Sequence, residues 1–189
     1  MKSNKSFIVV LSLMIFGVFA RLIPHIPNFT PTESIAVFGA AFLGYRYLSF
    51  LLPLSLIYIS DFIVNNTVAR TYFPDTQGLV LYSSYMIYTT IAIVTIVLLS
   101  KSLLKTVNVK NVVLTVLTST VVFFLLTNFA AWADPKSVYP ANISGLAMAY
   151  IAGLPFVKVS LLGNLIFSGV LFGGKALIES MLRTKQIAA

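Results

Sequence analysis

The chain contains no cysteine and a single histidine, His25. Disulfides, thiolate nucleophiles and Cys-ligated metals are therefore excluded, as is a self-contained multi-histidine metal centre. Acids are scarce, five against 13 Lys and Arg, and charged residues of both signs make up only 10% of the 189 residues. A soluble domain carries about 25%, so little of this surface is built to face water. Sequence patterns that carry chemistry are missing as well: there is no HExxH, no GxSxG, no Walker phosphate loop, and no pair of histidines or carboxylates at i, i+4 on one apolar helix. No cofactor and no catalytic residue is expected. Without a phosphate loop, any ATP-driven work belongs to another protein.

What is present is apolar. Hydrophobic residues make up 58% of the chain, and mean hydropathy is +0.94. Several runs approach the roughly 20 residues that carry a helix across a bilayer, whereas a membrane barrel would show short alternating segments. The composition predicts an all-α integral membrane protein in contact with lipid. The formal charge of +8 reads as anchors at the cytoplasmic ends of membrane helices, with no nucleic-acid partner.

The pattern predicts six transmembrane helices in one domain, residues 1–189. The first runs from Phe7 to Ile23 and is broken by Pro24 and Pro27. A secretory signal competes for this segment, but Val18-Phe19-Ala20 makes a poor cleavage site and further spans follow. Thr30, Pro31 and Glu33 form a capping box that starts a second helix reaching about Tyr45. At roughly 15 residues, or about 22 Å, it is short for a span and calls for shelter from its neighbours. The third helix, Tyr47 to Val64, should bend at Pro53; the fourth and fifth are Leu79 to Ser100 and Asn111 to Phe129. Asn142 to Leu154 is too short to span, so it should lie at the surface or dip in, and Pro155 should separate it from a sixth span, Phe156 to Ile178.

With six spans both termini share one side. Lys2, Lys5, Arg46, Lys101, Lys105, Lys110, Lys175, Arg183 and Lys185 fall on that side, against Arg21, Arg70, Lys136 and Lys158 on the other. Basic residues at helix ends favour the cytoplasm, so nine against four places both termini inside a multi-pass protein of the cytoplasmic (inner) membrane. Glu33, Asp61, Asp75 and Asp134 fall outside and only Glu179 inside, leaving the outer ends neutral and the whole +8 on the inner face.

Polar residues gather at the outer ends: His25, Asn28 and Glu33 after the first helix, Asp61 and Asn65 after the third, Asn128, Trp132 and Asp134 after the fifth. The substantial loops are on the same face, and loops with convergent polar groups are what a ligand site needs. Asn164 adds an amide about 12 Å below the start of the sixth helix, counting about 1.5 Å per residue. His25, Asn28, Asp61, Asn128, Trp132 and Asn164 are therefore expected to line one outward-facing cavity, because membrane helices turn polar groups inward. Each also has a plainer role. His25 can be an interfacial turn residue, Trp132 part of an aromatic belt, Asp61 a solvated helix end, and Asn128 and Asn164 partners in a helix-to-helix hydrogen bond. Glu33 is accounted for by the capping box alone. Small residues at four-residue spacing, Ala36, Ala40 and Gly44, then Gly169 and Gly173, allow close helix packing within the bundle or against a partner.

Arg21-Leu22-Ile23-Pro24-His25-Ile26-Pro27-Asn28-Phe29-Thr30-Pro31, Thr127-Asn128-Phe129 with Trp132, Tyr139-Pro140 and Leu162-Gly163-Asn164 together resemble an uncharacterised family of small bacterial membrane transport proteins. That family is similar to the substrate-binding (S) components of energy-coupling-factor (ECF) vitamin transporters. The resemblance covers about Arg21 to Gly174. It implies a six-helix S-component-like bundle, with a small-molecule pocket under the loops after helices one, three and five, and ATP-driven energy-coupling subunits as partners. At two positions the chain departs from the family, with Ile26 where proline is usual and Asn164 where an acid is usual. The first helix offers only Gly17 and Ala20 toward the AxxxA pattern with which such subunits dock.

These features point to a non-enzymatic membrane protein that binds or takes up a small vitamin-like molecule. The competing readings are a structural or assembly protein that uses the small-residue stripes, and a membrane enzyme drawing on His25 and Asp61. A reporter fused to the C-terminus should be active only on the cytoplasmic side; activity on the outer side would invert the topology and move the proposed cavity with it.

Overall fold

The computed structural model describes residues 2–23, 26–44, 47–71, 78–82 and 84–187. Within these the chain is all-helical: α1 is Lys2–Leu22, α2 Thr32–Phe42, α3 Leu48–Asn66, α4 Ser84–Leu103, α5 Val109–Ala133 and α6 Ile143–Ile187, with a 3-10 turn at Val68–Thr71. Five of these helices, all but α2, are long and apolar enough to cross a membrane.

The short helix is the centre of the bundle. At 11 residues α2 rises about 16 Å, roughly half a hydrocarbon core, and it packs against all five other helices. Every residue from Thr32 to Ala40 is buried. A helix that is apolar all round has no solvent face and belongs inside. One side of α2, Ala36, Val37 and Ala40, joins Ile57 of α3 and Ile93, Ile96 and Val97 of α4. The other side, Ile35 and Phe38, joins Val10, Met14 and Val18 of α1 and Leu171 of α6. The expected second span is thus a shorter helix, ending at Phe42 and sheltered on all sides.

Pro155 does not divide the last segment. Residues 143–187 form one helix with Pro155 inside it, where separate surface and spanning helices were expected. Proline removes one backbone hydrogen bond, but in an apolar medium no alternative to helix satisfies the flanking groups. The segment before Pro155 is also braced by α5: the Tyr150 hydroxyl donates to the Leu125 carbonyl at 3.0 Å, and the Tyr150 ring packs on Phe124.

The capping box is not formed. Pro31 occupies the N-cap position of α2 and no side chain caps the helix; Glu33 turns into the bundle instead. Near the opposite end, Ser6 of α1 donates to Glu179 of α6 at 2.8 Å, and Glu179 pairs with Lys175 at 2.8 Å. The start of α1 and the last part of α6 therefore lie at one end of the bundle. Lys175 also sits over the Phe42 ring, 4.1 Å from its centroid, which places the end of α2 there too.

Gly39 sets how closely α2 can approach its neighbours. A Cβ at this position would fall 2.8 Å from the Pro53 ring and 3.2 Å from the Met14 terminus, and a proline ring cannot swing aside. Gly39→Ala should cost about 1–3 kcal/mol through overpacking, seen as a lower melting temperature in detergent.

Candidate functional site

The half of the bundle away from Ser6 and Glu179 is built around a buried carboxylate. Glu33 lies in the first turn of α2, where the helix dipole favours negative charge, and only 2% of its surface is exposed. Two donors on α6 reach its Oε1: Asn164 Nδ2 at 2.6 Å and Ser160 Oγ at 3.2 Å. Asn164 Nδ2 also lies 3.3 Å from Thr120 Oγ1 of α5. On its acceptor side, Asn164 takes the Ser34 hydroxyl on Oδ1 at 3.1 Å and on its backbone carbonyl at 3.0 Å. Ser168 continues the chain by donating to Ser34 Oγ at 3.2 Å. Three helices are thus joined by side chains for which apolar surroundings offer no other partners.

Above this network lies a cleft of about 200 Å³ lined by Asn28, by Tyr85 of α4, by α5 and by α6. Ser160 and Thr120 belong both to its wall and to the network. Asn128 and Thr127 face it from α5, and Phe123, Phe124 and Phe156 supply apolar surface. Local sequence explains two of these placements. Asn28 has φ 65° in a turn closed by the Phe29 N–H on the Ile26 carbonyl at 3.0 Å; Pro27 before it and an Asn tolerant of positive φ are what this turn needs. Asn128 fits against α6 because residue 153 is glycine: a Cβ there would lie 2.2 Å from Asn128 Oδ1.

The six residues expected in one cavity do not all meet. Asn28 and Asn128 line the cleft. Asn164 lies behind its wall, 1% exposed, joined to it through Thr120. His25 is outside the described residues. Asp61 is elsewhere: it pairs with Arg21 of α1 at 2.5 Å, while Arg21 also donates to Ser60. The nearest void to Asp61, between α3 and α4, is about 20 Å³, room for about one water. Both side chains are mostly withdrawn from water, where an arginine and an acid satisfy each other. Trp132 is not a wall residue either. Its Nε1 donates to the Pro140 carbonyl at 3.0 Å and its ring packs on Phe129, so it ties down the α5–α6 connection. Of the three loops expected to cover the site, only the one after α1 contributes to its wall among the described residues.

The residue that sequence reasoning passed over is Glu33. Its spacing from Thr30 satisfied a local rule, which hid the stronger signal: an acid two residues before an unbroken apolar run, on a helix too short to reach water at both ends. If the cluster acts as one unit, Glu33→Leu and Asn164→Leu should be strongly non-additive, with a coupling of about 1–3 kcal/mol in a double-mutant cycle read by unfolding in detergent. Independent membrane hydrogen bonds would each give about 0.6 kcal/mol and add.

No curated protein matches this chain, and no solved structure does. Residues 1–186 match a family model whose description is a family of unknown function, DUF6580. With nearly its whole length covered, the chain belongs to the DUF6580 family.

Proposed function

We propose that this protein is a membrane substrate-binding or uptake component for a small vitamin-like molecule, held in the cleft between α4, α5 and α6. The observation that carries the reading is the joining of an open cleft to a buried carboxylate network through Ser160 and Thr120. Purely structural hydrogen bonds between helices have no need of a cavity above them. About 200 Å³ equals the volume of roughly six or seven waters, which suits a compact molecule. The carboxylate network lies at the end of the bundle away from Ser6 and Glu179, so with termini in the cytoplasm the cleft opens outward, as uptake requires.

Likeness to ECF S components, with a sixth helix completing the bundle and an ATP-driven coupling partner at the inner face, extends the same reading to the bacterial cytoplasmic membrane. The role is non-catalytic on this view: the hydroxyls, amides and rings of the wall bind and orient a ligand. A structural or assembly role is the second reading. It is favoured by Gly169 and Gly173 of α6, beyond which a Cβ would meet nothing within 4 Å, beside an apolar groove of about 600 Å³ between α5 and α6.

Protein purified from its host should release a small molecule on extraction, identified by mass spectrometry, and be thermally stabilised by it. Asn128→Leu should weaken that binding about five- to 150-fold, the equivalent of about 1–3 kcal/mol, while the fold persists. A broad metabolite screen without a stabilising compound would favour the structural reading.

A further inference from the structure

We propose that the cleft takes a small organic cation, an ammonium, amidinium or protonated ring nitrogen, with Glu33 as its buried counter-charge. The proposal rests on the binding reading above and names the ligand class for that cleft.

Four observations converge. First, Glu33 is a buried acid with neutral hydrogen-bond donors and, among the described residues, no ion pair: the two pairs present join Arg21 to Asp61 and Lys175 to Glu179. Ionisable groups within a membrane bundle are costly and pair with an opposite charge or serve a ligand or ion. Arg21 is already committed to Asp61.

Second, two wall hydroxyls have spent their protons. Ser160 donates its one hydroxyl proton to Glu33 and Thr127 donates its own to the Phe123 carbonyl at 2.8 Å, so both oxygens keep only acceptor capacity. Asn128 directs one N–H to the Phe124 carbonyl at 2.8 Å, and its Oδ1 has no such commitment to the backbone. These three oxygens are complementary to a ligand that carries donors. Third, Tyr85, Phe123, Phe124 and Phe156 supply four aromatic rings, whose faces attract cations. Fourth, no Lys or Arg lines the cleft among the described residues, so a carboxylate or phosphate ligand would meet no counter-charge.

The wall hydroxyl of Ser160 then acts as a relay: it accepts from the ligand cation while donating to Glu33. Because each step is charge-assisted, the preference for a cation over its neutral isostere should be at least about tenfold.

The test uses full-length protein in detergent at neutral pH and fixed ionic strength, with three probes of matched size, benzylamine (protonated), benzyl alcohol and benzoate, read by thermal shift and by titration. Benzylamine should bind at least about tenfold more tightly than benzyl alcohol, with benzoate weakest. Glu33→Gln should erase the gap between amine and alcohol while leaving alcohol binding in place. Ser160→Ala should narrow the same gap, and serves if the Gln variant does not fold. Equal binding of all three probes, preference for benzoate, or an amine preference that survives Glu33→Gln would overturn the cation proposal while leaving a binding cleft. A stabilisation by sodium ion as large as that by benzylamine would overturn the organic class in favour of an inorganic cation. Absence of binding by any probe, together with no ligand in extracts of the purified protein, would remove both this proposal and the binding reading on which it rests.

Discussion

The contact on which the cleft half of this protein depends is the 2.6 Å hydrogen bond from Asn164 to Glu33. It joins the first turn of the short central helix to the middle of the long last one. α2 cannot span a bilayer and has no water on either flank, so its position is decided by neighbours rather than by lipid. An acid carried into such a place needs partners, and Asn164, Ser160 and Ser34 provide a connected set with Thr120. The depth of α2 in the bundle, its register against α6 and the wall of the cleft are consequences of satisfying that carboxylate. Gly163 belongs to the same requirement. A Cβ there would press on Phe29 and Thr30 at 3.3 Å, so glycine lets the chain entering α2 lie close along α6.

The two ends of the bundle solve different problems. Toward the cleft, hydroxyls and amides are held in fixed orientations by backbone carbonyls and by one another, which preserves geometry without adding charge. Toward the other end, Lys175 is buried against Phe42 and paired with Glu179, and beside them is the apolar groove between α5 and α6. Lys175 and Glu179 neutralise each other there, and the groove beside them is lined mainly by apolar side chains.

Particular residues show why the site was only partly legible. Asn28 and Asn128 stood out as polar residues beside long apolar runs, and both line the cleft. Asp61 carried the same signal, yet Arg21 lay 40 positions away and could not be assigned to it before α1 and α3 were brought side by side. Trp132 was equally ambiguous: its partner is a backbone carbonyl, invisible in any side-chain pattern. Pro155 looked like a boundary because proline ends helices in water, whereas here α5 braces the segment before it and apolar surroundings leave helix as the sole way to satisfy the backbone.

Composition by itself determined that the chain is helical and apolar enough for a membrane, since the hydrophobic effect and the need to satisfy every backbone group act on each segment separately. Charge order along the chain likewise set the expected polarity of the two ends. Only the tertiary structure decided that α2 is the core rather than a sixth peripheral span, that Glu33 is a buried hub rather than a cap, and that Asp61 is half of an ion pair. Each of those outcomes depends on which distant side chain arrives opposite, and periodicity within one helix holds no information about the helix it will meet.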